Sequence, residues 1–261
     1  MSKMVFGEGV VAMVSGGGSG IGRATALGLA RSGVAVSVGD LNEGGGQDTV
    51  AEIVAEGGTA AFRRVDVTDE VGVRAWVDDA VRRWGRLDLQ FNNAGINGPT
   101  SVLEEYSAAD FERVIFTNLI SVSLCMRAAL PYMKERGGAI VNTGSTASLA
   151  GYASLSGYAA AKHGVLGLTR SVAREYAHVP IRVNCVCPGP TSTPLMHGIE
   201  EHLNPEDPAS ARRAFEQTTA LGRYASPDEI AGVVAFLLSD ASRYVTGAAI
   251  SVDAGVTAGF G

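Results

Sequence analysis

The chain has 261 residues, 46% hydrophobic and 18% charged, a balance that suits one soluble core and shows no linker, repeat or low-complexity tract. Its formal net charge of −6, without any clustered run of Lys and Arg, argues against a nucleic-acid partner bound through phosphates. Cys125, Cys185 and Cys187 are an odd number without metal-ligand spacing, so reduced packing thiols and no metal are expected. No apolar stretch reads as a membrane span, and the opening MSKMVFGEG lacks the basic-then-apolar order of a signal peptide. The expectation is a cytoplasmic protein with no membrane partner.

Short β-branched runs at 10–16, 34–40, 60–67, 87–93, 139–145, 181–187 and 248–254 alternate with helical segments. Several are apolar almost throughout, as strands buried on both faces must be. The expected fold is therefore a single α/β domain over 1–261, a doubly wound parallel sheet of the Rossmann type with about seven strands and helices on both faces.

The first run leads into SGGGSGIG (15–22), which puts Gly16, Ser19, Gly20, Ile21 and Gly22 at a strand-to-helix turn. Glycine lets the backbone approach a pyrophosphate, and N–H groups at a helix start favour an anion. Asp40, eighteen residues after Gly22 and followed by Leu41, stands where a carboxylate can accept both ribose hydroxyls of an adenosine. That carboxylate would repel a 2′-phosphate, so NAD is expected rather than NADP. Asp66, before Val67, either meets the adenine amino group or caps the next helix.

Farther along, Tyr158 precedes Lys162 by four residues in GYAAAKHG (157–164), so in a helix both side chains leave one face and the alanines obstruct neither. Taken alone the pair fits one shared ligand or an ordinary solvated face. The stretch 188–222 carries five prolines and is long for a connection, so 191–221 is a candidate lid in which Leu195, Met196, Ile199 and Leu203 turn inward while Glu200, Glu201 and Glu206 stay in water. In SPDE (226–229), Ser226 caps a helix, Pro227 takes its first position and Glu229 completes a capping box.

In that order SGGGSGIG, Asp40, Asp66-Val67, NNAG (92–95), Asn118, Ser145, Tyr158 with Lys162, Pro188-Gly189 with Thr193, and GAAISVDAG (247–255) resemble the short-chain dehydrogenase/reductase family over nearly the whole chain. The resemblance implies that Tyr158 is a general acid/base and that Lys162 holds the nicotinamide ribose and lowers the tyrosine pKa. Ser145 would hydrogen-bond the substrate oxygen, and Asn118 would help hold a water leading to Lys162. Asn93, Ala94 and Gly95 would line the adenosine side, with Pro188, Gly189, Thr191 and Thr193 beside the nicotinamide. Ile96, Tyr152, Leu195 and Met196 are candidate substrate walls, and a homotetramer is the family expectation. Two positions depart from the usual pattern: Ser15 stands for threonine, and Gly144 stands where many members carry a second serine.

The implied activity is NAD-dependent interconversion of a small, possibly cyclic, secondary alcohol and its ketone. A 3-oxoacyl thioester reductase is the alternative within the enzyme class, although GGGSG and INGP lack the arginines such enzymes commonly place there. A nicotinamide-sensing or scaffold protein without turnover is the alternative outside it.

Overall fold

The computed structural model describes residues 6–259. Seven strands, β1 (Val11–Ser15), β2 (Ala35–Asp40), β3 (Ala60–Arg64), β4 (Leu89–Asn92), β5 (Gly138–Thr143), β6 (Ile181–Pro188) and β7 (Ala249–Val252), form one sheet in the order β3-β2-β1-β4-β5-β6-β7. Every pairing is parallel. The doubly wound expectation holds, and the order reverses between β1 and β4, which opens a crevice at the carboxyl ends of those strands.

Alternation along the strands divides the core in two. Val11 and Met13 join Ile140, Val183 and Cys185 under α3 (Glu70–Trp84), α5 (Ser121–Met133) and α6 (Ser156–Glu175). Ala12, Val14, Val36, Val38 and Val141 face the other way, under α1 (Gly20–Arg31), α2 (Glu43–Ala55) and α9 (Pro227–Leu238). Strands covered on both faces have no need of polar alternation, which is why their runs read as continuous apolar stretches.

The capping box at Ser226 forms as its sequence predicts: Glu229 N donates to Ser226 Oγ, Ser226 N donates to the Glu229 carboxylate, and Pro227 opens the helix. The third strand is shorter than its apolar run and stops at Arg64. Asp69, not Asp66, caps α3, while Asp66 accepts from Thr68 N and Oγ1 in an exposed turn. The three cysteines are buried free thiols, in agreement with their reading as packing residues.

Residues 108–133, comprising α4 (Ala108–Ile115), a π-type turn (Phe116–Ile120) and α5, do reach the length and hydropathy of a membrane span, contrary to the sequence reading. Half of that apolar window is buried within the domain, so its hydropathy reflects packing against the core. The stretch 191–221 folds as two short helices, α7 (Pro194–Leu203) and α8 (Pro208–Gln217).

Gly39 shows how packing positions the end of β2. A Cβ there would lie 2.5 Å from the Trp76 ring, whose Nε1 donates to Ser37 Oγ at 2.8 Å. Because the indole is fully buried and held, it cannot retreat. We therefore expect Gly39→Ala to cost about 1–3 kcal/mol by overpacking, read as a lower urea midpoint. An unchanged midpoint would contradict this account of the β2 edge.

Candidate active site

The glycine turn after β1 is built to leave donors free. Gly16 and Gly20 have positive φ (63° and 51°), and a Cβ on Gly22 would lie 2.1 Å from Gly16 O, so this turn closes only with glycine. Ser19 takes the N-cap position of α1 without capping it, and the first turn carries no acidic residue. The helix thus presents uncapped N–H groups at the sheet crevice, the arrangement a pyrophosphate requires.

Asp40 ends β2 beside this turn. Its carboxylate accepts from Gly18 N and Asn42 N, both at 2.8 Å, so its direction is set by backbone. Leu41 is exposed next to it. On the other side of the crevice, Ser15 Oγ accepts from Asn93 N at 2.9 Å and Ala94 N at 3.2 Å. A serine hydroxyl therefore joins β1 to the segment after β4, which is the work expected of the more usual threonine. The Asn93 amide donates back to Ser15 O and Gly16 O. Val67 is buried near the turn formed by Asp66, whereas Asp66 itself is exposed.

Asn118 lies fully buried on the π-type turn, the kind of helix irregularity that re-aims a side chain. Its Oδ1 accepts from Ile96 N at 3.0 Å, and its Nδ2 donates to Ile96 O at 2.9 Å. Gly95 is glycine because a Cβ would lie 2.5 Å from Asn118 Oδ1. What the structure shows for Asn118 is a clamp on the loop that carries Ile96.

Tyr158 and Lys162 share one face of α6, with Lys162 Nζ 5.5 Å from the centre of the tyrosine ring. Lys162 is 4% exposed and donates to Thr143 O at 2.8 Å, at the end of β5. Burial pulls its pKa down to about 8. Burial pushes the Tyr158 phenol up, against a smaller pull downward from the facing Ser145 hydroxyl. The lowering of this phenol expected from Lys162 is thus not the dominant effect in the protein alone, because the phenolate loses water on burial. Ser145 lies just past the end of β5 and faces Tyr158, so Ser145, Tyr158 and Lys162 meet at one point.

Pro188 ends β6, and Gly189 N donates to Val252 O at 3.1 Å; a Cβ on Gly189 would lie 2.8 Å from the Asp253 backbone. Thr191 is buried, its hydroxyl donating to Gly189 O, while Thr193 caps α7 and sets its methyl carbon 3.1 Å from the place a Cβ of Gly20 would take. The 189–193 strap therefore lies across the glycine turn. Tyr152 and Met196 are half-buried, but Leu195 is exposed, and Leu203 is exposed as well.

The expected orientation of α7 fails at three positions: Leu195 and Leu203, expected to turn inward, are exposed, and Glu200 departs as well. Glu200 is buried, not solvated, and its carboxylate faces the buried Tyr224 phenol, over whose ring Arg212 sits 4.7 Å away. Tyr224 and Arg212 are its polar neighbours, although Glu200 Oε1 and the Tyr224 hydroxyl have no hydrogen-bond partner and Arg212 pairs with Glu216. Glu201 and Glu206 remain exposed as expected. Sequence reading also missed the Thr143 carbonyl under Lys162 and the part played by Ser148, although the Ser145-to-Ser148 spacing is that of a capping box.

Comparison with known proteins agrees with this geometry. A family model described as Enoyl-(Acyl carrier protein) reductase matches residues 16–257. Levodione reductase of Leifsonia aquatica is 42% identical over 96% of this chain and 95% of its own length. Cyclohexanol dehydrogenase of Acinetobacter sp. (strain SE19) is 45% identical over 95% and 94%. Among solved structures, levodione reductase superposes with a TM-score of 0.95 at 41% identity, covering 97% of this chain and 99% of that one. An actinorhodin polyketide ketoreductase variant crystallised with NADPH gives 0.91 at 34%, covering 95% and 97%. With the glycine turn, Ser145, Tyr158 and Lys162 gathered at the carboxyl ends of the strands, the chain belongs to the short-chain dehydrogenase/reductase family of oxidoreductases.

Proposed function

We propose that this enzyme interconverts a small cyclic secondary alcohol and its ketone with NAD, using Tyr158 as general acid/base. The observation that carries the reading is the convergence of Ser145, Tyr158 and Lys162 beside a helix start with uncapped N–H groups. Gly16, Ser19, Gly20, Ile21 and Gly22 hold the pyrophosphate; Asp40 and Leu41 take the adenosine ribose; Asp66 and Val67 border the adenine. Asn93, Ala94 and Gly95 line the adenosine side of the crevice, and Pro188, Gly189, Thr191 and Thr193 border the nicotinamide. Bound NAD supplies the hydride acceptor and a positive charge that favours phenolate.

In oxidation, the Tyr158 phenolate takes the hydroxyl proton as the carbinol carbon gives up hydride, and Ser145 donates a hydrogen bond to the same substrate oxygen. In reduction the phenol returns that proton. Lys162 holds the nicotinamide ribose and, as an ammonium, opposes the burial that otherwise keeps the phenol protonated. An ammonium ~5 Å away at an effective dielectric of ~20 is worth about 3 kcal/mol toward phenolate.

A carbocyclic substrate is supported by cyclohexanol dehydrogenase, which is named for such an alcohol. Ile96, Tyr152, Met196 and Leu195 supply the apolar walls, with 191–221 as the segment that closes over them. Reduced cysteines fit a cytoplasmic enzyme. The family expectation of a homotetramer is retained, built on α4 with α5, on α6, and on β7 at a second interface.

Tyr158→Phe keeps the ring and loses only the proton-transfer group, so turnover falls below about a tenth of wild type while NADH binding stays within a few-fold. Lys162→Ala damages turnover and cofactor affinity together. Activity retained in the first variant, or normal cofactor affinity in the second, would refute the roles assigned.

Asp40 sets the cofactor preference in this reading. Its carboxylate disfavours a 2′-phosphate by about 3 kcal/mol per unit charge at ~5 Å and a dielectric of ~20. Asp40→Ala is expected to narrow the ratio of kcat/KM for NAD over NADP by about ten-fold or more, equivalent to about 1.4 kcal/mol. An unchanged ratio would move the preference to another residue.

A further inference from the structure

Ser145 caps a short turn, its hydroxyl accepting from Ala147 N at 3.1 Å while it faces Tyr158. Its backbone is extended, and it opens a short 3-10 turn, Thr146–Ser148. Ser148 N donates to Ser145 O at 2.8 Å, and Ser145 N donates to Ser148 Oγ at 3.1 Å. The two serines hold each other reciprocally. Ser148 is 2% exposed, so no solvent competes for its hydroxyl.

On the far side of that hydroxyl lies sulfur. Cys185 and Cys187 alternate along β6 onto the same face, both fully buried, with their sulfurs 3.9 Å apart. Gly144, whose N donates to Val186 O at 2.8 Å, passes directly over them. A Cβ on Gly144 would lie 2.7 Å from Cys185 Sγ, 2.7 Å from Ser148 Oγ and 3.1 Å from Cys187 Sγ. Its φ is not in the left-handed region, so space and not conformation requires glycine there. The Cys187 thiol is drawn down by its contact with Cys185, against burial, and its sulfur and the Ser148 hydroxyl border the same space beside Gly144.

We propose that Ser148 and Cys187 are positioning residues for Ser145: the sulfur seats the Ser148 hydroxyl, that hydroxyl holds the Ser145 amide, and Ser145 thereby keeps its own hydroxyl on Tyr158. Glycine at 144 is the steric condition for this stack, and the two thiols fill the space that a side chain at 144 would take. The inference rests on the roles given above to Ser145 and Tyr158. Removing the Ser148 hydroxyl takes the acceptor from the part-buried Ser145 N–H, so the turn must move to find another. Ser145 then slackens against the phenol, and because that contact favours phenolate, the phenol ionises at higher pH.

The test is steady-state oxidation of cyclohexanol by NAD across a pH series for Ser148→Ala, Cys187→Ala, Cys187→Ser and Tyr158→Phe. Ser148→Ala is expected to lower kcat about ten-fold and to shift the rising limb of kcat/KM upward by about half a pH unit, with the KM for NAD within about two-fold. Cys187→Ala should likewise lower kcat, without the upward shift of the limb because Cys187 itself holds the Tyr158 phenol up, and Cys187→Ser, which exchanges one acceptor atom for another, should recover most of the rate. An unchanged limb in Ser148→Ala, or kcat unchanged in both alanine variants, would overturn the proposal, as would Cys187→Ser being damaged as much as Cys187→Ala. Turnover surviving in Tyr158→Phe would remove the reading on which it rests. An inactive Tyr158→Phe beside an unaffected Ser148→Ala would remove the positioning role alone.

Discussion

Lys162 carries an ammonium that is costly to bury, and the way it is accommodated orders the rest of the site. Taking an ammonium out of water costs several kcal/mol unless oxygen atoms replace the lost solvent. The chain supplies the carbonyl of Thr143, at the end of β5, and still the pKa falls to about 8. That one contact ties the face of α6 that carries Tyr158 to the end of the strand that leads into Ser145. The three groups are therefore held in register by a hydrogen bond that the lysine needs for its own sake.

The same logic of filled space governs the surrounding glycines. Gly95 makes room for the Asn118 amide, Gly144 for two sulfurs and a hydroxyl, and Gly189 for the Asp253 backbone. Each lies just beyond or beside a strand end. Backbone is brought close where side chains would otherwise separate the elements, and the polar groups so exposed are satisfied by Ser15, Asn93 and Asn118. Across the crevice, exposed Leu195 and Leu203 show that α7 leaves part of its apolar surface uncommitted.

Much of this was legible in the residues alone. Strands buried on both faces announce themselves as apolar runs, and the capping box at Ser226 to Glu229 is local enough to be read directly. The glycine turn and Asp40 are likewise local, since each needs only a strand end and the next helix start. What stayed hidden depends on distant partners. Glu200 looks like a solvated acid until Tyr224 and Arg212 are placed beside it, and the hydropathy of 108–133 has no meaning until α3 and α6 cover it. The π-type turn at Asn118 has no sequence signature, and β3 ends early at exposed Arg64 although buried Val65 and Val67 prolong its apolar pattern.

The most direct test of the central claim is a substrate screen on the purified protein with NAD and, separately, NADP, following reduced cofactor by its near-ultraviolet absorbance. The panel contains cyclic, open-chain and aromatic secondary alcohols, with a 3-oxoacyl thioester and NADPH run in reverse. The account predicts NADH formation that is fastest with cyclohexanol-like alcohols and weaker with NADP. Reduction of the thioester by NADPH without oxidation of any cyclic alcohol, or no turnover with any member of the panel, would contradict it.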